Sequence, residues 1–271
     1  MLNCGMRPDV VDLNQFYATS LGQTARRLIR RQIRALWPST AGMRVLGLGY
    51  ATPFLRQFQD EAERVIAMMP SSQGVSPWPR DERNLVGLCD EAEIPLPDSS
   101  IDRVLMVHAL ETSEQVRPML REVWRVLASG GRLMVVVPNR RGIWARVEST
   151  PFGTGSPFSP PQLERLMRDA MFSPTATLSA LYFPPTHRRS LIRLAPAFEK
   201  IGGRWAQVVS GVLISEAGKQ IFAVTAQSAR RARRLRRPQV AFPRSAAPRL
   251  VVGGEPPLTE PPTLIVPNET N

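Results

Sequence analysis

The feature that most constrains this chain is an alternation of short, strongly apolar runs with longer amphipathic ones. The runs "MRVLGLG" (43–49), "RVIAMM" (64–69), "NLVGL" (84–88), "IDRVLMVHAL" (101–110) and "RLMVVVPN" (132–139) are too short for buried helices and read as strands. Between them, "TPFLRQFQDEAE" (52–63) reads as a helix with Thr52 at its N-cap and Pro53 in its first turn, where a missing N–H costs nothing. "SEQVRPMLREVWRVLAS" (113–129) places Val116, Met119, Leu120, Val123, Val126 and Leu127 on one helical face, and Gly130 and Gly131 are expected to stop it. Strands alternating with helices predict a Rossmann-like, doubly wound α/β fold. The expected sheet is seven-stranded and mostly parallel, with helices on both faces. Its last strands come from "PTATLSALYFPP" and "VVSGVLISEAGKQIF".

The flanks complete the plan. Residues 1–40 read as an N-terminal helical cap, in which Leu28, Ile29, Ile33, Leu36 and Trp37 share one face and Pro38 ends the helix. Arg26, Arg27, Arg30, Arg31 and Arg34 form the opposite, basic face, which reads either as a solvated surface or as an anion-binding one. Residues 41–140 form the expected core. Residues 141–226 hold a Gly/Pro/Ser loop, a helix from about 161, a helix over 190–202 and the last strands. Residues 227–271 read as a basic, proline-rich tail with too few core-forming residues to fold.

Charge and cysteine content narrow the classes of function. The net charge of +12 favours an anionic partner, but the tail alone supplies eight arginines and three glutamates, +5 of that total. The run "ARRARRLRR" has no interleaved aromatics, so nucleic acid would be held nonspecifically. Two cysteines, Cys4 and Cys89, cannot build a disulfide framework or a Cys-based zinc site. No cluster of His, Cys and carboxylates has metal-ligand spacing, and no apolar run reaches the length of a membrane span. A cytoplasmic setting is expected, with a small-molecule or macromolecular partner.

In an open parallel sheet the ligand lies outside the carboxyl ends of the strands. Here those ends are Gly47–Ala51, Met68–Pro70, Cys89–Asp90, His108–Glu111 and Pro138–Arg141. Three segments meeting there, "RVLGLGYATPFL" (44–55), "DEAEIPLPDSSIDRVLMVHALE" (90–111) and "LREVWRVLASGGRLMVVVPN" (120–139), resemble the class I S-adenosylmethionine-dependent methyltransferase family in its small type 11 branch. The resemblance implies methyl transfer from S-adenosylmethionine, without a metal, to an acceptor the sequence does not name. It implies cofactor contacts from Gly47, Gly49, Tyr50, Ala51, Met69, Asp90, Glu91 and His108. Asp90 would accept from the adenine amino group, with Leu88 and Ile94 flanking the ring.

Two departures qualify that pattern. The family's acid for the methionine ammonium falls on Gly47, and its acid for the ribose hydroxyls falls on Met69, which leaves Ser71, Ser72 or Gln73 as neutral acceptors nearby. The family's later glycines fall on Ala51 and Pro53. If the acceptor must lose a proton, His108 and Glu111 are the candidate bases. Tyr17, Asn139 and Trp144 are the candidate acceptor-side residues. Two further readings remain: a methyltransferase-like binding or regulatory protein with weakened or lost cofactor binding, and a nucleic-acid-associated protein using its basic helix and tail.

Overall fold

The computed structural model describes residues 8–186, 188–205 and 209–220. Residues 1–7 of the expected cap, with Cys4, the end of the expected 141–226 region and the expected tail 227–271 lie outside the described residues.

Among the described residues, seven strands form one sheet. They are β1 (Arg44–Gly49), β2 (Arg64–Pro70), β3 (Val86–Cys89), β4 (Ile101–Val107), β5 (Leu127–Pro138), β6 (Phe172–Ala180) and β7 (Val212–Lys219), in the order β3-β2-β1-β4-β5-β7-β6. The pairings from β3 through β5 are all parallel, and β7 runs antiparallel to both β5 and β6. The order reverses between β1 and β4, which creates the crevice where such sheets bind ligands.

Strand alternation divides the core into two layers, because successive side chains point to opposite faces. Val45, Ala67, Met69, Leu105, Val107, Met134 and Val136 face the layer of α1 (Val10–Ala18), α2 (Ser20–Leu36) and α3 (Thr52–Leu55). Leu46, Leu48, Val104, Met106, Leu133 and Val135 face α4 (Val116–Val126) and α5 (Pro160–Asp169). In α2, Ala25, Ile29 and Ile33 are wholly buried and Trp37 follows at the helix end, so the helix seals the first layer along one stripe. Thr19 caps this helix by accepting from the Gly22 amide, and Asp9 caps α1 by accepting from Val11 and Asp12.

Several expected boundaries move for identifiable reasons. The helix expected over 52–63 is a single turn, α3, continued by a 3-10 turn at Arg56–Phe58, and Ala51 rather than Thr52 stands at its N-cap. Phe54, Leu55 and Phe58 are buried within these two turns, and Glu61, beyond them, accepts from Arg34 and Thr40. The fourth strand stops at Val107, because His108 adopts φ +50. The glycine pair does not end a helix. α4 closes at Val126 and β5 begins at once, with Leu127 opposite Ile101 and Gly130–Gly131 inside the irregular stretch before Arg132 pairs with Arg103. The helix expected across Pro196 divides into α6 (Arg189–Arg193) and α7 (Ala195–Trp205), with the proline in the first turn of α7.

Among the described residues, no helix is long and apolar enough to cross a membrane.

Candidate functional site

The turn after β1 starts the site. Gly49 has φ +76, and a Cβ there would stand 2.5 Å from the Val107 carbonyl oxygen, so only glycine allows β1 and β4 to end this close together. Gly47 lies two residues earlier. A Cβ on it would meet Leu55 Cδ1 at 2.5 Å and Ala51 Cβ at 2.9 Å, so the volume that an acidic side chain would need is filled by hydrocarbon. Met69, at the end of β2, is likewise wholly buried in the first core layer.

Beside this apolar turn, the chain buries a line of polar groups. Tyr17 of α1 and His108 lie with Oη and Nε2 2.8 Å apart, and His108 Nδ1 lies 3.1 Å from Glu111 Oε1. All three side chains are almost completely buried. With Glu111 as a carboxylate and the ring neutral, His108 Nδ1 donates to Glu111 and Nε2 accepts from the Tyr17 hydroxyl. Burial, with Tyr50 and Glu111 nearby, raises the Tyr17 phenol well above its ordinary value, so it stays protonated. The ring of Tyr17 stacks on Tyr50 at 5.8 Å, and burial raises the Tyr50 phenol to about 12.

The surroundings hold this line in place. Gln73 Nε2 donates to the His108 carbonyl oxygen at 2.8 Å, and Ser156 N donates to the Glu111 carbonyl oxygen at 2.8 Å. The Phe152 ring lies 4.9 Å from that of His108. Two acceptor atoms are left over: Gln73 Oε1 and Glu111 Oε2 are buried without a hydrogen-bond partner among the described residues. Buried acceptors of this kind cost stability unless something donates to them.

The other named residues are placed as follows. Asp90 is exposed, and its Oδ1 accepts from the Ala92 amide at 2.7 Å. Glu91 accepts from Ser72 at 3.1 Å and from Ser113, so it links the loops that follow β2, β3 and β4. Leu88 is exposed and Ile94 is buried. Asn139 is buried, with Nδ2 donating to Ser210 at 3.1 Å and Oδ1 accepting from Arg141 N. Trp144 donates from Nε1 to the Phe183 carbonyl oxygen at 2.7 Å and packs edge-on to Phe152. The structure therefore brings Tyr17, Tyr50, His108 and Glu111 together, whereas Asn139 and Trp144 are occupied with neighbouring backbone and side chains. Phe152 is the neighbour that sequence reasoning missed. It sits in a Gly/Pro/Ser loop, where no periodicity marks a residue as inward-facing.

The donor set tests the implied cofactor directly. The two family positions for carboxylates are closed by Leu55 and Met69. Yet the same rim carries acceptor-only groups in other places: the unpartnered Glu111 and Gln73 oxygens, and the carboxylates of Asp90 and Glu91. Acceptors suit a ligand whose polar edges are an ammonium and sugar hydroxyls, so the residues present fit such a group in kind. Among the described residues, no group of three or more His, Cys, Asp or Glu side chains could hold a metal ion.

Comparisons agree with this architecture. Residues 41–135 match the family described as "Methyltransferase domain". An S-adenosylmethionine-dependent methyltransferase structure from Thermotoga maritima superposes with a TM-score of 0.54 at 18% identity, covering 78% of this chain and 96% of that one. One from Archaeoglobus fulgidus gives 0.52 at 17% identity, covering 77% and 98%. One from Aquifex aeolicus gives 0.52 at 14% identity, covering 78% and 98%. At such identities the likeness is one of fold. No curated protein matches in sequence.

Proposed function

We propose that this chain, whose residues 41–135 match a methyltransferase-domain family, transfers a methyl group from S-adenosylmethionine to an acceptor activated at His108. The observation that carries the reading is the buried line Tyr17–His108–Glu111 at the carboxyl end of β4. Burying three polar side chains at that spot is costly unless the arrangement serves a purpose.

The bound cofactor would supply an electrophilic methyl group. The chain's own residues would do the rest. Glu111 Oε2 and Gln73 Oε1 would accept from the ammonium, Glu91 from ribose hydroxyls and Asp90 from the adenine amino group. Glu111 fixes the His108 tautomer, so Nε2 is the atom that accepts a proton. Tyr17 caps that atom in this structure. An acceptor hydroxyl or amine that displaces the Tyr17 phenol would take its place on Nε2 and lose its proton there. The aromatic walls of Tyr50 and Phe152 would keep water out.

Leu55 over Gly47 and the wholly buried Met69 favour a second reading, in which the fold survives as a binding or regulatory protein without the cofactor. Calorimetric titration with S-adenosylmethionine and its demethylated product separates the two. The methyltransferase reading expects affinity of roughly micromolar order, lowered by Asp90→Ala and by Glu111→Gln. The absence of heat at millimolar ligand sinks it and selects the binding protein.

A further inference from the structure

We propose that the cavity between α2, the first turn of α3 and the loop 76–82 binds a small organic dianion, a phosphomonoester carried on a flat or apolar body. The cavity has a volume of about 490 Å³, and Arg26, Arg30, Arg56 and Arg80 line it. That volume suits a small metabolite rather than a macromolecule.

The arginines are arranged as an anion site would need. Arg26, Arg30 and Arg34 follow one another at four-residue spacing, so they share one stripe of α2. Arg34 is neutralised by Glu61 through a two-pronged contact, Nη2 to Oε2 at 2.9 Å and Nη1 to Oε1 at 2.5 Å. Arg26 and Arg30, which face the cavity, have no carboxylate partner among the described residues, and neither has Arg56. Among the described residues, Arg26 Nε is buried without a hydrogen-bond partner, and Arg80 makes one hydrogen bond, to Asn14 Oδ1 at 3.4 Å. Burial, with Arg26 and Arg56 close by, pulls the Arg30 guanidinium below its ordinary value. A stripe that is paired at one end and left repelling itself at the other is relieved by an anion at the unpaired end.

Charge and shape narrow the class of ligand. Against four guanidinium groups the lining sets two carboxylates, Asp81 and Glu82, which leaves a surplus of two positive charges, the complement of a phosphomonoester dianion. Guanidinium forks match phosphate oxygens in pairs. Trp78 and Tyr50 supply flat apolar wall beside them, which suits the body that carries the phosphate. Tyr17 belongs both to this wall and to the buried line ending at Glu111, so a ligand seated here lies directly outside the phenol that caps His108.

The test uses the full chain, without cofactor, so its outcome is independent of methyl transfer. Inorganic phosphate and phenyl phosphate are titrated calorimetrically. Phenyl phosphate is expected to bind more tightly than phosphate, and Arg30→Gln and Arg56→Gln are each expected to weaken it by about tenfold or more. Circular dichroism checks that the variants keep their fold. Arg31→Gln, on the same helix but outside the cavity, is expected to change nothing. Three results overturn the proposal. The first is no binding of either probe at millimolar concentration. The second is an equal loss on Arg31→Gln, which marks a nonspecific basic surface. The third is displacement of phenyl phosphate by S-adenosylhomocysteine, which assigns the cavity to the cofactor.

Discussion

Tyr17 Oη and His108 Nε2 are 2.8 Å apart although ninety-one residues separate them in the sequence. That single contact joins the N-terminal cap to the carboxyl end of β4, the place where this fold keeps its ligands. It makes the cap part of the site, and the cap's position becomes readable through the phenol.

Tyr17→Phe removes the hydroxyl and keeps the ring that stacks on Tyr50. His108 Nε2 is then buried without a donor. The expected cost is about 1–3 kcal/mol of folding stability, seen as a lower denaturant midpoint at an unchanged slope. An unchanged midpoint would show that the contact contributes nothing in solution.

A second relationship sets acid sensitivity. Hydrogen bonds from Arg34 and Thr40 lower the Glu61 carboxyl from its ordinary 4.5 to about 2. A depressed folded-state value means stability that is full above the unfolded value and is lost as pH falls through the folded one. The window is therefore from about 4.5 down to about 2. Glu61→Gln is expected to flatten the acid limb of a stability–pH curve in that window and to lower the plateau at neutral pH. A wild-type curve that is already flat there contradicts the pairing.

The fold was legible because its signals are local and repeated. The five runs from "MRVLGLG" to "RLMVVVPN" each carry their own strand pattern, and the parallel arrangement follows from what separates them. The turns were less legible. Nothing in "TPFLRQFQDEAE" announces that the helix stops after one turn at Leu55, or that Glu61 will be captured by Arg34 from another helix. The glycine pair at 130–131 reads as a helix stop until Leu127 is seen to pair with Ile101. At the site, His108 and Glu111 stood out by chemistry and by their place at a strand end. The sequence did not reveal that Tyr17 would reach His108, or that Phe152 would lie against it, because both depend on contacts between distant segments.

Gly47 allows the cofactor reading to be tested by addition rather than removal. Gly47→Asp restores a carboxylate, but its Cβ falls 2.5 Å from Leu55 Cδ1. The single variant is expected to lose about 1–3 kcal/mol to overpacking. Combining it with Leu55→Ala removes the contact at 2.5 Å and leaves only the Ala51 Cβ, at 2.9 Å, to shift. If the crevice between β1 and β4 holds S-adenosylmethionine, the double variant should bind S-adenosylhomocysteine about tenfold or more tighter than the wild type, the worth of a charge-assisted hydrogen bond. A double variant that folds and gains no affinity counts against a cofactor at this turn.

The cap is also fastened at its far end, by Glu216 of β7. This carboxylate is 3% exposed and accepts from Trp37 Nε1 at 2.9 Å, from Arg132 Nη1 at 3.0 Å and from Thr175 Oγ1 at 2.8 Å. Trp37 closes α2, so the contact pins the cap helix to β7, in the antiparallel part of the sheet. Arg132 is half-exposed and can be re-solvated, but the buried Trp37 Nε1–H would lose its acceptor, so Glu216→Ala is expected to cost about 1–3 kcal/mol. Glu216→Gln keeps one acceptor oxygen and is expected to cost less. Thermal denaturation of the two variants beside Tyr17→Phe tests whether the cap is held independently at its two ends. Glu216 and Tyr17 share no partner, so the combined loss in Glu216→Gln/Tyr17→Phe should equal the sum of the single losses within about 0.5 kcal/mol. A larger discrepancy would mean that the cap comes away from the sheet as one unit when either end is released.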